Sequence, residues 1–187
     1  MRIIGGKMRG TKLQTLDGFE TTRPTLDRVK ESLFNIISMK IIDSNVLDLF
    51  SGSGALGIEA ISRGAKQACL CDISSKAINV IKQNVEKTRC KDDVIVLNKK
   101  HIQALEFFKN KNKKFDIVFL DPPYETNYAE EATEYIVEND LLEIDGIIII
   151  ETDNEDKIIK GLKVEKVEVY DIRKYGRVSL LFLKRKG

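Results

Sequence analysis

From residue 45 onward, short apolar runs alternate with stretches of helical periodicity. Strand-like runs occupy 45–50, 67–72, 94–97 and 115–120, and a fifth begins at "GIIII". The stretches between them carry apolar residues at helical spacing, as in "SSKAINVIKQNVEKT". The strand runs are apolar on both faces, which is typical of parallel strands covered by helices on both sides. The alternation therefore predicts an α/β protein with a doubly wound, mostly parallel sheet.

The two ends of the chain depart from this alternation. Near the C-terminus, two β-rich runs flank "RKYG", which predicts a hairpin that adds an antiparallel strand to the sheet. At the N-terminus, a glycine-containing β element precedes a helix that begins near the proline of "TTRPTLDRVKESLFNIIS". We therefore expect an N-terminal extension over 1–40 and a main domain over 41–187.

Composition limits the kinds of site and location. Net charge is only +2, but residues 1–30 hold seven basic and three acidic residues, so one end can attract a polyanion. Three cysteines and one histidine do not make a disulfide framework or a multi-histidine metal site. The longest purely aliphatic run, Ile147–Ile150, is far too short to span a membrane. We expect a cytoplasmic protein without a metal.

A glycine-rich segment, "LDLFSGSGALG", joins the first strand to the next helix. Gly52, Gly54 and Gly57 let the backbone turn tightly and bring free helix N–H groups to a ligand. The motif alone is weak, since it fits a dinucleotide, S-adenosylmethionine (SAM) or a plain turn. Asp48 favours SAM, because its carboxylate attracts the methionyl ammonium and repels a pyrophosphate. Asp72, after the second strand, suits a ribose in either cofactor, or caps the following helix.

The fourth strand ends in "FLDPPYET". Ligands of open α/β sheets bind beyond the carboxyl ends of the strands, so Asp121 is expected on the same edge as the other two strand-end carboxylates. The prolines stiffen the loop and fix the direction of the Pro122 carbonyl. Two neighbouring acceptors suit an exocyclic NH2 group of a nucleobase, and Tyr124 offers a face on which a flipped base can stack. This segment predicts methyl transfer to an exocyclic nitrogen.

These residues leave several functions open. The Asp-Pro-Pro-Tyr segment permits equally a methyltransferase acting on guanine N2 in RNA and an adenine-N6 methyltransferase acting on RNA or DNA. A NAD-dependent dehydrogenase would need a hydride-transfer site that the chain does not show. A non-catalytic RNA-binding or assembly protein is disfavoured by the intact glycine loop and Asp121. The length leaves no room for the target-recognition domain of a sequence-specific DNA enzyme.

Five segments together resemble the RsmD family, bacterial methyltransferases that modify a guanine N2 in small-subunit ribosomal RNA. They are "MRIIGGKMRG", "TRPTLDRVKESLFN", "VLDLFSGSGALGIEAISRGA", "FDIVFLDPPY" and "KYGRVSLLFLK". The resemblance implies a seven-stranded, Rossmann-like class I SAM-dependent methyltransferase fold with a C-terminal antiparallel hairpin and a small N-terminal extension. It also implies a monomer that uses SAM on 16S rRNA within an assembled or assembling small subunit.

Roles follow for the residues that match the family's motifs. The amine-binding and base-stacking positions are Asp121, Pro122 and Tyr124. The cofactor positions are Asp48, Ser51, Gly52, Gly54, Asp72, Ile73 and, in the N-terminal motif, Thr25. After the third strand, where the family often has Asp and a small residue near the adenine, this chain has Lys100 and His101, so His101 is the expected cofactor contact there. The basic residues expected to contact RNA phosphates are Lys7, Arg9, Arg23, Arg28 and Lys30.

Overall fold

A computed structural model describes residues 1–16, 24–163 and 165–186, with residues 24–26 described by their backbone alone. The helices are α1 (Pro24–Ile36), α2 (Ser38–Ile41), α3 (Ala55–Ser62), α4 (Ser75–Thr88), α5 (His101–Asn110), α6 (Tyr128–Glu138) and α7 (Glu155–Gly161). The strands are β1 (Asn45–Asp48), β2 (Gln67–Asp72), β3 (Val94–Asn98), β4 (Phe115–Leu120), β5 (Leu142–Thr152), β6 (Val167–Tyr175) and β7 (Val178–Arg185). No helix in these ranges combines the length and apolar character that a membrane crossing requires.

The strands form a seven-stranded sheet in the order β3-β2-β1-β4-β5-β7-β6. Strands β1 to β5 pair in parallel, and β7 runs antiparallel between β5 and β6. This confirms the predicted Rossmann-like class I methyltransferase fold with its C-terminal hairpin. Strands β2 and β4 have the predicted bounds. Strand β5 begins at Leu142 rather than Gly146, and its pairing with β4 shifts register between Phe115 and Ile117.

Alternate residues of the strands face two hydrophobic cores. On one side, Val46, Ile117 and Phe119 pack with apolar side chains of α1, α3 and α4. On the other, Leu47 and Val118 pack with side chains of α5 and α6. The continuous apolar runs of the parallel strands arise because both faces of the sheet are covered in this way.

The N-terminal extension packs on the first of these cores. Ile3 and Leu13 are buried there together with Phe34 of α1. The backbone N–H groups of Ile4 and Gly5 donate to the carboxylate of Glu59 in α3, at 2.8 and 2.7 Å. The extension and the main domain therefore share one core, and the boundary at residue 40 stays a prediction.

Candidate active site

Three predicted carboxylates lie along one edge of the sheet. Asp48 and Asp72 are the last residues of β1 and β2, and Asp121 directly follows β4. Because β1, β2 and β4 are parallel neighbours, their carboxyl ends meet at the same edge. Strand β5 also ends here and contributes Glu151, which sequence reasoning did not identify.

The glycine loop between β1 and α3 has the backbone that its sequence predicts. Gly52 and Gly54 have φ values of 54° and 80°, in the left-handed region that favours glycine. A Cβ on Gly52 would meet nothing within 4 Å, so there is open space above the loop. A Cβ on Gly57 would lie 2.0 Å from Leu70, so this third glycine lets α3 pack closely on β2. Ser51 is buried, and its hydroxyl donates to the Asp48 carbonyl at 2.7 Å.

Asp48 is a buried carboxylate beneath the loop. It accepts the Gly57 N–H at 3.2 Å, at the start of α3. Burial raises the pKa of Asp48 to about 7; hydrogen bonds from Gly57 and Ser51 oppose this shift, and the nearby Asp72 adds to it. An ionised carboxylate in such a place is stabilised by a cationic ligand, and this fits the ammonium of a methionyl group.

Asp72 joins the glycine loop to the start of α4. Its carboxylate accepts the N–H groups of Gly52 at 2.9 Å and Ser74 at 2.8 Å. The helix cap itself is Ser74, whose hydroxyl accepts the Ala77 N–H at 3.4 Å. Since a carboxylate has about four acceptor sites, Asp72 retains capacity for ribose hydroxyls. Ile73 is 63% exposed beside it, which leaves an apolar surface next to the loop.

The loop after β4 is held by a compact turn and a distant lysine. The backbone N–H and hydroxyl of Thr126 both donate to the Pro123 carbonyl, at 3.1 and 2.7 Å. Lys157 of α7 donates to the carbonyls of Tyr124 at 3.0 Å and Thr126 at 2.6 Å. Among the described residues, no donor reaches the Pro122 carbonyl or the Asp121 carboxylate. These two predicted acceptors therefore retain unused hydrogen-bonding capacity.

Asp121, Tyr124 and Glu151 form one electrostatic unit. The Tyr124 hydroxyl donates to Glu151 at 3.4 Å. Asp121 borders solvent, yet desolvation by the surrounding protein, followed by the charges of Glu151 and Asp48, raises its pKa well above the ordinary value. The pKa of Asp121 is raised even where water reaches its carboxylate, because its negatively charged neighbours lie at the same edge of the sheet. Burial likewise raises the pKa of Glu151, and the hydrogen bond from Tyr124 opposes that shift.

His101 begins α5, and its ring is engaged with α6. Its Nε2 lies 3.2 Å from a Glu131 carboxylate oxygen, and its ring centre lies 4.4 Å from that of Tyr128. Phe50 stacks parallel to Tyr128 at 6.3 Å. The structure therefore shows a cluster of three aromatic rings at the start of α5, and the adenine-binding role of His101 stays a prediction.

The basic residues described in the N-terminal part differ in their exposure and contacts. Lys30 is a correction to the sequence analysis: it is 6% exposed, and its ammonium lies 3.1 Å from Glu59 and donates to the Arg2 carbonyl at 2.6 Å, so it does not present a charge to RNA. The Lys7 N–H donates to Ser62, at the end of α3 opposite the glycine loop, and the exposed Arg9 belongs to the same turn.

Arg28 is an expected RNA contact on an exposed face of α1. It lines a shallow groove of about 480 Å³ along α1, together with Ser32. Ser32 and Tyr175 share a short hydrogen bond, which sets the β6–β7 turn and its exposed Arg177 beside this face of α1. Arg23 and the side chain of Thr25 lie outside the described residues, so their roles stay predictions.

Two other features do not belong to this site. A wider groove of about 740 Å³ runs between α7 and β6, lined by Ile159, Val169 and Tyr170, away from the strand-end carboxylates. Within the described ranges, no three His, Cys, Asp or Glu side chains cluster as metal ligands would.

Comparisons with known proteins agree with this geometry. A family model described as "Conserved hypothetical protein 95" matches residues 1–184. The chain belongs to this family. "Ribosomal RNA small subunit methyltransferase D" of Haemophilus influenzae is 40% identical, covering 85% of this chain and 82% of its own. "Putative rRNA methyltransferase YlbH" of Bacillus subtilis is 35% identical over the whole of both chains. A solved structure, "Putative methyltransferase yhhF from Escherichia coli", has a TM-score of 0.82 and 32% identity, covering 100% of this chain and 98% of that one.

Sequence reasoning missed three residues near the carboxyl ends of the parallel strands: Glu151, Lys157 and Arg177. The same rule that placed Asp121 at a strand end would have found Glu151, since "IIIIET" also ends a parallel strand with an acid. Lys157 had no comparable signal, because its helix was not predicted and it reaches the loop across 31 residues.

Proposed function

We propose that this protein transfers a methyl group from SAM to the exocyclic N2 of a guanine in 16S rRNA of the small ribosomal subunit. The observation that carries the proposal is the pair of free acceptors, the Asp121 carboxylate and the Pro122 carbonyl, placed one strand away from Asp48 and the glycine loop. Membership of the family and the named relatives support the RNA substrate. An enzyme of this kind works in the cytoplasm, where ribosomal subunits assemble.

The residues at the sheet edge fit SAM. Asp48 suits the ammonium of SAM, and Asp72 suits its ribose hydroxyls. The open space above Gly52 leaves room for the cofactor beside the loop. When bound there, SAM supplies an electrophilic methyl group on a sulfonium. Thr25, Ile73 and His101 are proposed to border the cofactor as well, on the strength of the motif positions alone.

The loop after β4 orients the amine. Its lone pair is delocalised into the guanine ring, which makes N2 a poor nucleophile. Hydrogen bonds from N2–H to Asp121 and to the Pro122 carbonyl favour a pyramidal nitrogen and direct its lone pair away from the two acceptors. As the N–CH3 bond forms and the S–CH3 bond of the sulfonium breaks to leave a neutral thioether, Asp121 would stabilise the positive charge on nitrogen and would then receive the proton that N2 releases. Holding two reactants in this geometry contributes on the order of 7–11 kcal/mol to lowering the barrier.

RNA approaches along the same edge. Tyr124 is 38% exposed and offers its ring to the extruded base. Arg28 and Arg177 are proposed to contact phosphates, since both are exposed and their elements are joined by the Ser32–Tyr175 hydrogen bond. The charge of Lys7 and Arg9 lies at the far end of α3 and is left out of this surface.

A methyl-transfer assay tests the proposal. Tritiated SAM is incubated with 16S rRNA, naked and in small subunits from cells that lack the enzyme, and the product is digested to nucleosides. Label in N2-methylguanosine is expected, and label in N6-methyladenosine would overturn the choice of guanine. Calorimetry with SAM and with NAD provides the cofactor control, and an absence of SAM binding would reject the whole proposal.

A further inference from the structure

Glu151 and Asp121 are neighbours on adjacent parallel strands. Leu120 of β4 pairs in register with Ile150 of β5, and each is followed by one of the two acids. Phe119 and Ile149, which lie two residues before Asp121 and Glu151, both pack in the core formed with α1. Because side chains alternate along a strand, the two acids face that same side, and adjacent strands lie about 4.8 Å apart.

Glu151 has acceptor capacity that the protein does not use. Its one hydrogen bond in the described part of the chain comes from the Tyr124 hydroxyl at 3.4 Å, and no lysine or arginine there pairs with it. The Asp121 carboxylate accepts no hydrogen bond from the same described residues. Two close, partly desolvated carboxylates are unfavourable unless donors satisfy them, so the pair is suited to a ligand with two neighbouring N–H groups.

The edges of guanine and adenine differ at this point. Guanine presents N1–H beside its exocyclic N2–H2, which gives two adjacent donors. Adenine presents N6–H2 beside an unprotonated N1, which is an acceptor and would face a carboxylate unfavourably. A pair of acids therefore distinguishes the two bases, which Asp-Pro-Pro-Tyr alone does not do.

We infer that Glu151 is the specificity-determining residue, accepting N1–H of the target guanine while Asp121 accepts N2–H. The inference rests on the proposed function. The Tyr124 hydroxyl reaches Glu151 through one long hydrogen bond, and this discrimination does not depend on it.

The test changes the hydrogen-bonding group on the base at N1 and, separately, the one on the side chain of Glu151. The target guanine, mapped by nuclease fragmentation of the labelled RNA, is replaced with 2-aminopurine, which keeps the N2 amine but has an unprotonated N1. Single-turnover rates are measured for both RNAs with wild type and with Glu151→Gln, whose amide can donate to that N1. Wild type should favour guanine by roughly 10-fold or more, and Glu151→Gln should reduce this ratio by about the same factor.

Controls separate specificity from support. Glu168→Gln changes an exposed acid at the opposite edge of the sheet and should leave the ratio unchanged. Tyr124→Phe keeps the ring and should alter the ratio less than about twofold. If it moves the ratio as far as Glu151→Gln, the tyrosine is the discriminating group and the inference is wrong. An equal loss on both RNAs in Glu151→Gln would also overturn it.

Two further readings keep the outcome clear. Calorimetry should show SAM binding by Glu151→Gln close to wild type, and Glu151→Asp, which keeps the acceptor, should still favour guanine. Loss of that preference in a folded Glu151→Asp would contradict the inference. Failure of wild type to methylate guanine would instead reject the proposed function.

Discussion

Two carboxylates on the same side of the sheet, those of Glu59 and Asp121, differ in how many of their hydrogen-bond acceptor sites are used. Glu59 is fully buried and accepts from two backbone N–H groups, while Lys30 and Arg63 pair with it at 3.1 and 2.8 Å. At the carboxyl end of β4, the Asp121 side chain accepts nothing from the described residues. A buried acid with every acceptor site used supports the fold. An acid at a strand end with unused acceptor sites and a raised pKa is suited to a ligand.

The largest expected effect is on stability, from Glu59→Gln. This change leaves the ammonium of Lys30 buried without its counter-charge, and breaking such a pair costs about 3–5 kcal/mol. The free energy of unfolding, measured by urea denaturation, should fall by that amount. Adding Lys30→Met removes the stranded charge and should restore part of the loss. A double variant no more stable than the single one would show that the cluster is not a closed ion pair.

Asp121→Ala should have the converse profile, with activity lost and stability kept. Removing one preorganised polar group from a transition state costs about 10²–10³-fold in rate. Calorimetry should give a SAM affinity within a few-fold of wild type, and the unfolding midpoint should not decrease, since no internal hydrogen bond is lost. Asp145→Ala, an exposed acid elsewhere in β5, is the matched control. Transfer by Asp121→Ala at a near wild-type rate would remove its assigned role.

Asp48→Asn tests whether a buried carboxylate suited to a cationic ligand lowers the stability of the protein when that ligand is absent. The folded pKa of Asp48, about 7, lies above its unfolded value, so the folded state binds more protons and loses stability as pH rises towards 7. Asparagine lacks this penalty and still accepts from Gly57. The gain in unfolding free energy over wild type should therefore be larger at pH 8 than at pH 5, by about 2–3 kcal/mol. SAM binding should weaken at both pH values, and a gain independent of pH would contradict the buried charge.

The sequence predicts strand ends better than it predicts partners. Asp48, Asp72 and Asp121 could be placed on one edge because parallel topology alone brings strand ends together. Lys30 was assigned to RNA from charge counting, although it lies one helical turn before Phe34, on the apolar stripe of α1. That spacing carried the signal of burial. Its partner Glu59 and the reach of Lys157 depend on packing between elements distant in the chain, which no local pattern encodes.

The smallest expected effect separates the ring of Tyr124 from its hydroxyl. Tyr124→Ala removes the surface on which a base stacks, which corresponds to about 1–3 kcal/mol of RNA binding. Tyr124→Phe retains that surface and removes only the long hydrogen bond to Glu151, so RNA affinity should change less than about threefold. Fluorescence titration with the target RNA measures both. If Tyr124→Phe weakens binding as much as Tyr124→Ala, the hydroxyl and its hydrogen bond to Glu151, rather than stacking, would hold the base. The carboxylates at this edge of the sheet would then depend on a donor within the protein, as Glu59 does.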